Sequence, residues 1–145
     1  MPPLPAWVSL HLTAKELACK DGTPYPGVWI DRAVVLAAIF EEIRGACGDL
    51  PIRVGSAYRT EAHNARVGGA KHSQHLLGKA LDLYPPPGMG LADFYKTIRR
   101  IALRPDCPVH GLGRYPTFVH VDIRDRADRR VTVWSGTRAW AELKE

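Results

Sequence analysis

The chain has 145 residues, 46% of them apolar and 24% charged, the proportions of an ordinary globular domain that buries a core without disulfide staples. The apolar stretch Ala33–Ile43 is too short to cross a bilayer and is interrupted by Glu41 and Glu42. The widely spaced Cys19, Cys47 and Cys107 form no disulfide framework and fit a reducing compartment. A formal charge of +5 favours anionic partners. Its lysines and arginines are scattered, apart from Arg124, Arg126, Arg129 and Arg130, and no nucleic-acid-binding motif accompanies them, which argues against a nucleic-acid partner.

One domain is expected over residues 1–145, with residues 1–8 a loose arm stiffened by Pro2, Pro3 and Pro5. That opening lacks a basic region followed by an apolar core, so no secretory signal peptide is expected, and synthesis in the cytoplasm is. Thr13-Ala-Lys-Glu16 is a capping box for a short helix to about Cys19. Asp31 is expected to cap a helix to about Ala46, with Val34, Val35, Ala38, Ile39 and Ile43 on its apolar face and Gly48 just past its end. Ile52–Ser56 reads as a strand, and Thr60 caps a short helix that stops at Gly68-Gly69. Leu77–Leu83 turns from loop into strand before Pro85-Pro86-Pro87, and Leu91–Leu103 is a helix with Phe94, Ile98 and Ile101 on one face. Strands follow near 111–114, 117–123 and 131–134. Helices and strands mix without regular alternation, which predicts an α+β fold.

Three side chains stand out as metal-ligand types. His75 follows Ser73-Gln74 and precedes Gly78; Asp82 interrupts the apolar Ala80, Leu81 and Leu83; His120 lies in the strand-like Phe118-Val119-His120-Val121-Asp122. Asp82 on a partly buried strand needs a partner, either a cation or one of the arginines. His120 is a ligand or a satisfied core histidine, and Asp122, two residues on and on the same face, is placed to orient its imidazole or handle protons. His72 and the Cys107/His110 spacing offer weaker ligand sets, and neither a GxSxG elbow nor a P-loop is present. Arg59, at a strand end, is suited to bind a substrate carboxylate in bidentate fashion.

The segments Gly55-Ser-Ala-Tyr-Arg-Thr60, His63-Asn64, Val67-Gly-Gly-Ala70, Ser73-Gln-His75, Gly78-Lys-Ala-Leu-Asp82 and Phe118-Val-His-Val-Asp122 resemble the M15 peptidases, zinc D-Ala-D-Ala carboxypeptidases and peptidoglycan endopeptidases of bacteria and phages. The SxHxxGxAxD motif is complete, and the likeness is greatest to the short subgroup ending in a His-Val-Asp strand. Leu12–Cys19 and Gly111–Pro116 extend it over most of the chain. The resemblance implies a small antiparallel sheet carrying the zinc site, flanked by helices in the hedgehog/DD-peptidase-like manner. It implies Zn2+ held by His75, Asp82 and His120, with Arg59 and Gln74 contacting substrate. The implied activity is hydrolysis of a peptide bond in peptidoglycan stems or cross-links. One departure is plain: many family members carry a carboxylate base, Asp or Glu, three residues before the last histidine, where this chain has Thr117. Asp122 is assigned the catalytic base or orienting role, with His110 as second candidate; the alternative is a zinc-bearing wall-binding module without activity. The expected partner is a peptidoglycan peptide, with no nucleic acid and no membrane insertion. The protein is expected as a monomer unless part of a phage particle, reaching the wall after lysis or on a virion.

Overall fold

The computed structural model describes residues 2–128 and 130–137. The fold is α+β: a five-stranded sheet with helices against one face. The helices are α1 (Ala14–Leu17), α2 (Ile30–Ala46), α3 (Glu61–Arg66) and α4 (Leu91–Ala102). The strands are β1 (Val54–Ser56), β2 (Ala80–Leu83), β3 (Gly111–Arg114), β4 (Val119–Asp122) and β5 (Thr132–Ser135), in the spatial order β1-β2-β4-β3-β5.

Local signals account for most element starts. Thr13 caps α1 through the expected reciprocal box with Glu16, and Thr60 caps α3 by accepting from the His63 amide. Helix α1 stops at Leu17, short of Cys19. Asp31 is not the cap of α2: a 3-10 turn over Gly27–Trp29 leads into the helix, Trp29 holds the cap position, and Asp31 lies in the first turn, where its charge opposes the positive end of the helix dipole. The buried face of α2 also differs from expectation. Ala33, Leu36, Ala37, Ile39, Phe40 and Ile43 are buried, whereas Val34 and Ala38 are exposed. This helix is apolar on nearly every side, so spacing alone did not choose its face. Helix α4 is the opposite case, with Phe94, Ile98 and Ile101 buried as their spacing predicts.

Strands β2, β4 and β3 are antiparallel neighbours. Their period-two alternation separates two chemistries. Leu81, Leu83, Val119, Val121 and Leu112 belong to the core cluster shared with α2 and α4. Asp82, His120 and Gly113 alternate with them and face the other way. Strand β5 departs from a purely antiparallel sheet, because it runs parallel to β3 at the outer edge. It still runs opposite to β4, so β4 ends and β5 begins at the same end of the sheet and no long crossover is needed.

The N-terminal arm is packed rather than loose. Leu4 is buried in the core cluster, Trp7 bridges Thr13, and the Ala14 amide donates to the Ala6 carbonyl. Cys19, Cys47 and Cys107 are all free thiols. Among the described residues no helix is long and apolar enough to cross a membrane.

Candidate metal centre

Sheet register builds the site. Ser56 pairs with Asp82, Asp82 with His120, His120 with Gly113, and Gly113 with Trp134. These five positions form one row across all five strands, on the face away from α2 and α4. His75 reaches the row from a 3-10 turn over Gln74–Leu77, begun by the Ser73 side chain and closed by Gly78. Gly78 has φ +65°, and a Cβ there would meet Trp29 and Tyr25 at 2.7 and 2.9 Å, so the SxHxxG spacing has a steric cause. The Tyr25 hydroxyl donates to the Gly78 carbonyl at 2.6 Å and pins the turn.

His75, Asp82 and His120 converge, with one potential ligand atom from each lying within 4.8 Å of the others. All three are buried, Asp82 completely. His75 Nδ1 lies 2.5 Å from the Ala57 carbonyl. A carbonyl only accepts, so Nδ1 carries the proton and Nε2 of the neutral ring is a lone pair. That Nε2 is buried with no hydrogen-bond partner, although Asp82 Oδ2 is 3.0 Å away. His120 repeats the pattern: Nε2 lies 2.7 Å from Asp122 Oδ2, and Nδ1 faces Asp82 Oδ1 at 2.8 Å. In each ring the outer nitrogen is engaged by an acceptor, and the inner nitrogen of the neutral ring would set a lone pair against a carboxylate oxygen. Such a pair of contacts requires a proton or a metal ion between the atoms. Two imidazoles and one carboxylate, each imidazole oriented by an outer acceptor, fit zinc with a position left for water or substrate.

The electrostatics agree. Burial alone would raise Asp82, but His75 and His120 beside it outweigh burial and hold it well below the usual carboxylate range. Burial dominates at His75 and lowers it against the pull of Asp82. At His120 burial works downward, but the Asp122 and Asp82 carboxylates outweigh it and push the imidazole up to about 9.

Arg59 is buried, and three of its nitrogens are fixed: Nε donates to Ser56 Oγ at 2.9 Å, Nη1 to Asn64 Oδ1 at 3.0 Å and Nη2 to Asp82 Oδ2 at 3.3 Å. A cavity of about 620 Å3 opens over the row, and Arg59, Gln74, His75 and His120 all line it.

Asp122 is fully buried and its oxygens are committed. It accepts from His120, from the Arg124 amide at 3.1 Å, and from Arg124 Nε and Nη2 at 2.9 and 2.8 Å. Burial would raise this carboxyl, but Arg124 and His120 outweigh it and hold it well below the usual range. A carboxylate held by His120 and by the Arg124 fork is placed to orient the His120 imidazole. Thr117 is exposed and does not line the cavity. His110 lies against a different cavity, with Nδ1 3.0 Å from the Arg124 carbonyl, so it is not placed to act as the base. Cys107 joins no described ligand group.

Tyr115, Arg124 and Trp134 are among the cavity residues not singled out as site residues in the sequence. Trp134 packs its indole 5.2 Å from the His120 ring and donates Nε1–H to the Tyr115 hydroxyl at 2.9 Å. The alternation in Thr132-Val-Trp-Ser135 hinted at a facing strand, but nothing local says which strand it joins.

Two imidazoles that line a cavity on an α+β sheet, converging on a fully buried carboxylate, form a donor set that could hold a metal ion, the arrangement of a metal-site protein. The family model for peptidase M15 matches residues 10–122, and the chain belongs to that family. It is also similar to the zinc D-Ala-D-Ala carboxypeptidase of Streptomyces albus G, 41% identical over 51 residues that make up 35% of this chain and 20% of that protein. The match thus spans about a fifth of the curated relative.

Proposed function

We propose that this protein is a zinc-dependent peptidase that hydrolyses a peptide bond in the stem peptides or cross-links of bacterial peptidoglycan. The observation that carries the reading is the paired inner nitrogens of His75 and His120 turned onto the two oxygens of Asp82. Family membership and the carboxypeptidase named above support the substrate class. When bound, zinc polarises a carbonyl and makes its water a nucleophile near neutral pH. His75, Asp82 and His120 would hold the ion. The Ala57 carbonyl and Asp122 fix the two imidazoles. Arg59, held by Ser56 and Asn64, presents a preset guanidinium to a substrate carboxylate or carbonyl. Gln74 lines the same cavity and supplies an amide to the peptide backbone. With Asp122 committed elsewhere, proton transfer falls to His72, an exposed imidazole on the cavity wall.

A second reading, a zinc-bearing wall-binding module that does not cut, is favoured by one observation: no Asp or Glu is among the described residues lining the cavity. Purified peptidoglycan incubated with the protein decides between the two. Release of new amino termini, abolished by chelator and by His120→Ala, is expected of the peptidase. Stoichiometric zinc with wall binding and no new termini would overturn it in favour of the module, and absence of bound zinc would overturn both.

A further inference from the structure

The cavity lined by Arg59 also contains two hydrogen-bond donors that no step above uses. The indole N–H of Trp134 can only donate, so the Tyr115 oxygen accepts from it at 2.9 Å. The phenol proton must then point elsewhere, and no acceptor for it is found among the described residues. Accepting one bond strengthens the same oxygen as a donor. The phenol is fixed as well as polarised: its ring stacks on buried Phe118 at 4.5 Å and 7°, and the Gly136 backbone lies so close that a Cβ there would strike the ring.

Arg124 lies over the same indole, its guanidinium carbon 5.0 Å from the ring centre. Nε and Nη2 are used on Asp122, which leaves Nη1 without a bond among the described residues. Arg124 and Tyr115 both line the cavity. The geometry is set by the sheet: Trp134 sits opposite Gly113, where the missing side chain lets the indole lie over β3 toward His120.

A phenol O–H and a guanidinium edge that share one indole and line one cavity offer a pair of donors to an anionic oxygen. We propose that Tyr115 and Arg124 form a second carboxylate subsite, so that the preferred substrate is a peptide bearing a carboxylate away from its scissile bond as well as the group met by Arg59. The inference rests on the peptidase reading and adds the substrate's charge pattern to it.

The test uses two soluble stem peptides that differ only in whether the carboxylate remote from the scissile bond is free or amidated. Zinc-loaded wild type is expected to prefer the free carboxylate by roughly tenfold or more in kcat/KM, the scale of a charge-assisted hydrogen bond. In Tyr115→Phe, which keeps the stacked ring, that preference should fall severalfold with zinc content unchanged. Equal use of both peptides by wild type, or an undiminished preference in Tyr115→Phe, would overturn the subsite. Binding supplies a second readout, through the Trp134 indole N–H resonance in NMR titrations of the same peptides. If wild type cleaves neither peptide, the peptidase reading fails. The subsite then stands on tighter binding of the free-carboxylate peptide with movement of that resonance, and falls if both peptides bind alike.

Discussion

Replacing Asp122 by Asn separates orienting from base catalysis at this centre. The amide keeps the volume and one acceptor oxygen, so the fully buried site is not emptied. It removes the charge that holds the His120 Nε2–H at 2.7 Å and the Arg124 fork at 2.8 and 2.9 Å. Arg124 is about a quarter exposed (27%) and partly rehydrates, so the stability cost is expected to be about 1–3 kcal/mol, that of a charged hydrogen bond rather than of a stranded buried ion. Loss of a carboxylate behind a metal-bound imidazole costs about 10- to 100-fold in metal affinity. Competition with a chromophoric chelator should therefore show a weaker zinc Kd by that factor, while much of the rate returns at saturating zinc. A general base removed outright would instead lower kcat by about 10²- to 10⁴-fold at saturating zinc. An unchanged zinc Kd together with such a fall in kcat would refute the orienting role and restore Asp122 as the base.

Other perturbations follow from the same geometry. A Cβ at Gly111 would run into the Asp122 carboxylate, so Gly111→Ala should weaken zinc binding without altering any ligand; wild-type affinity in that variant would contradict the packing. Asp82→Ala should purify with less than a tenth of the wild-type zinc, measured by elemental analysis, and normal zinc content would exclude Asp82 as a ligand. In the metal-free protein the Asp122 and Asp82 carboxylates outweigh burial and push His120 up to about 9, whereas burial lowers His75. Zinc must displace the His120 proton, so calorimetry in buffers of different ionisation heat should show about one proton released per zinc at pH 7 and none well above pH 9; buffer-independent heats at pH 7 would contradict this. Ile98 is fully buried in α4, and Ile98→Ala should cost about 2–5 kcal/mol in urea unfolding, a loss below 1 kcal/mol arguing against the packing of α4.

Features that depend on neighbours in sequence were legible there. The Thr13 capping box, the Phe94–Ile98–Ile101 stripe and the strand alternation around Asp82 and His120 each state their own geometry, and the three candidate ligands converge in space. Features set by long-range register were not legible. The apolar surface of α2 left its buried face to tertiary packing, so Val34 and Ala38 turned outward. The parallel docking of β5 beside β3 is a long-range pairing, and it brings Trp134 over Gly113 to His120. Asp122 was visible as a carboxylate on the face of His120. Its hydrogen bonds to the Arg124 fork are a side-chain event that spacing does not encode.

The most direct test strips the protein with chelator and titrates zinc back while following new amino termini released from purified peptidoglycan. Cleavage should vanish on stripping, rise linearly with added zinc and level off at one zinc per chain, with no recovery in His120→Ala. Cleavage that survives stripping, or one zinc bound with none of the wall cut, would contradict a zinc peptidase built on His75, Asp82 and His120.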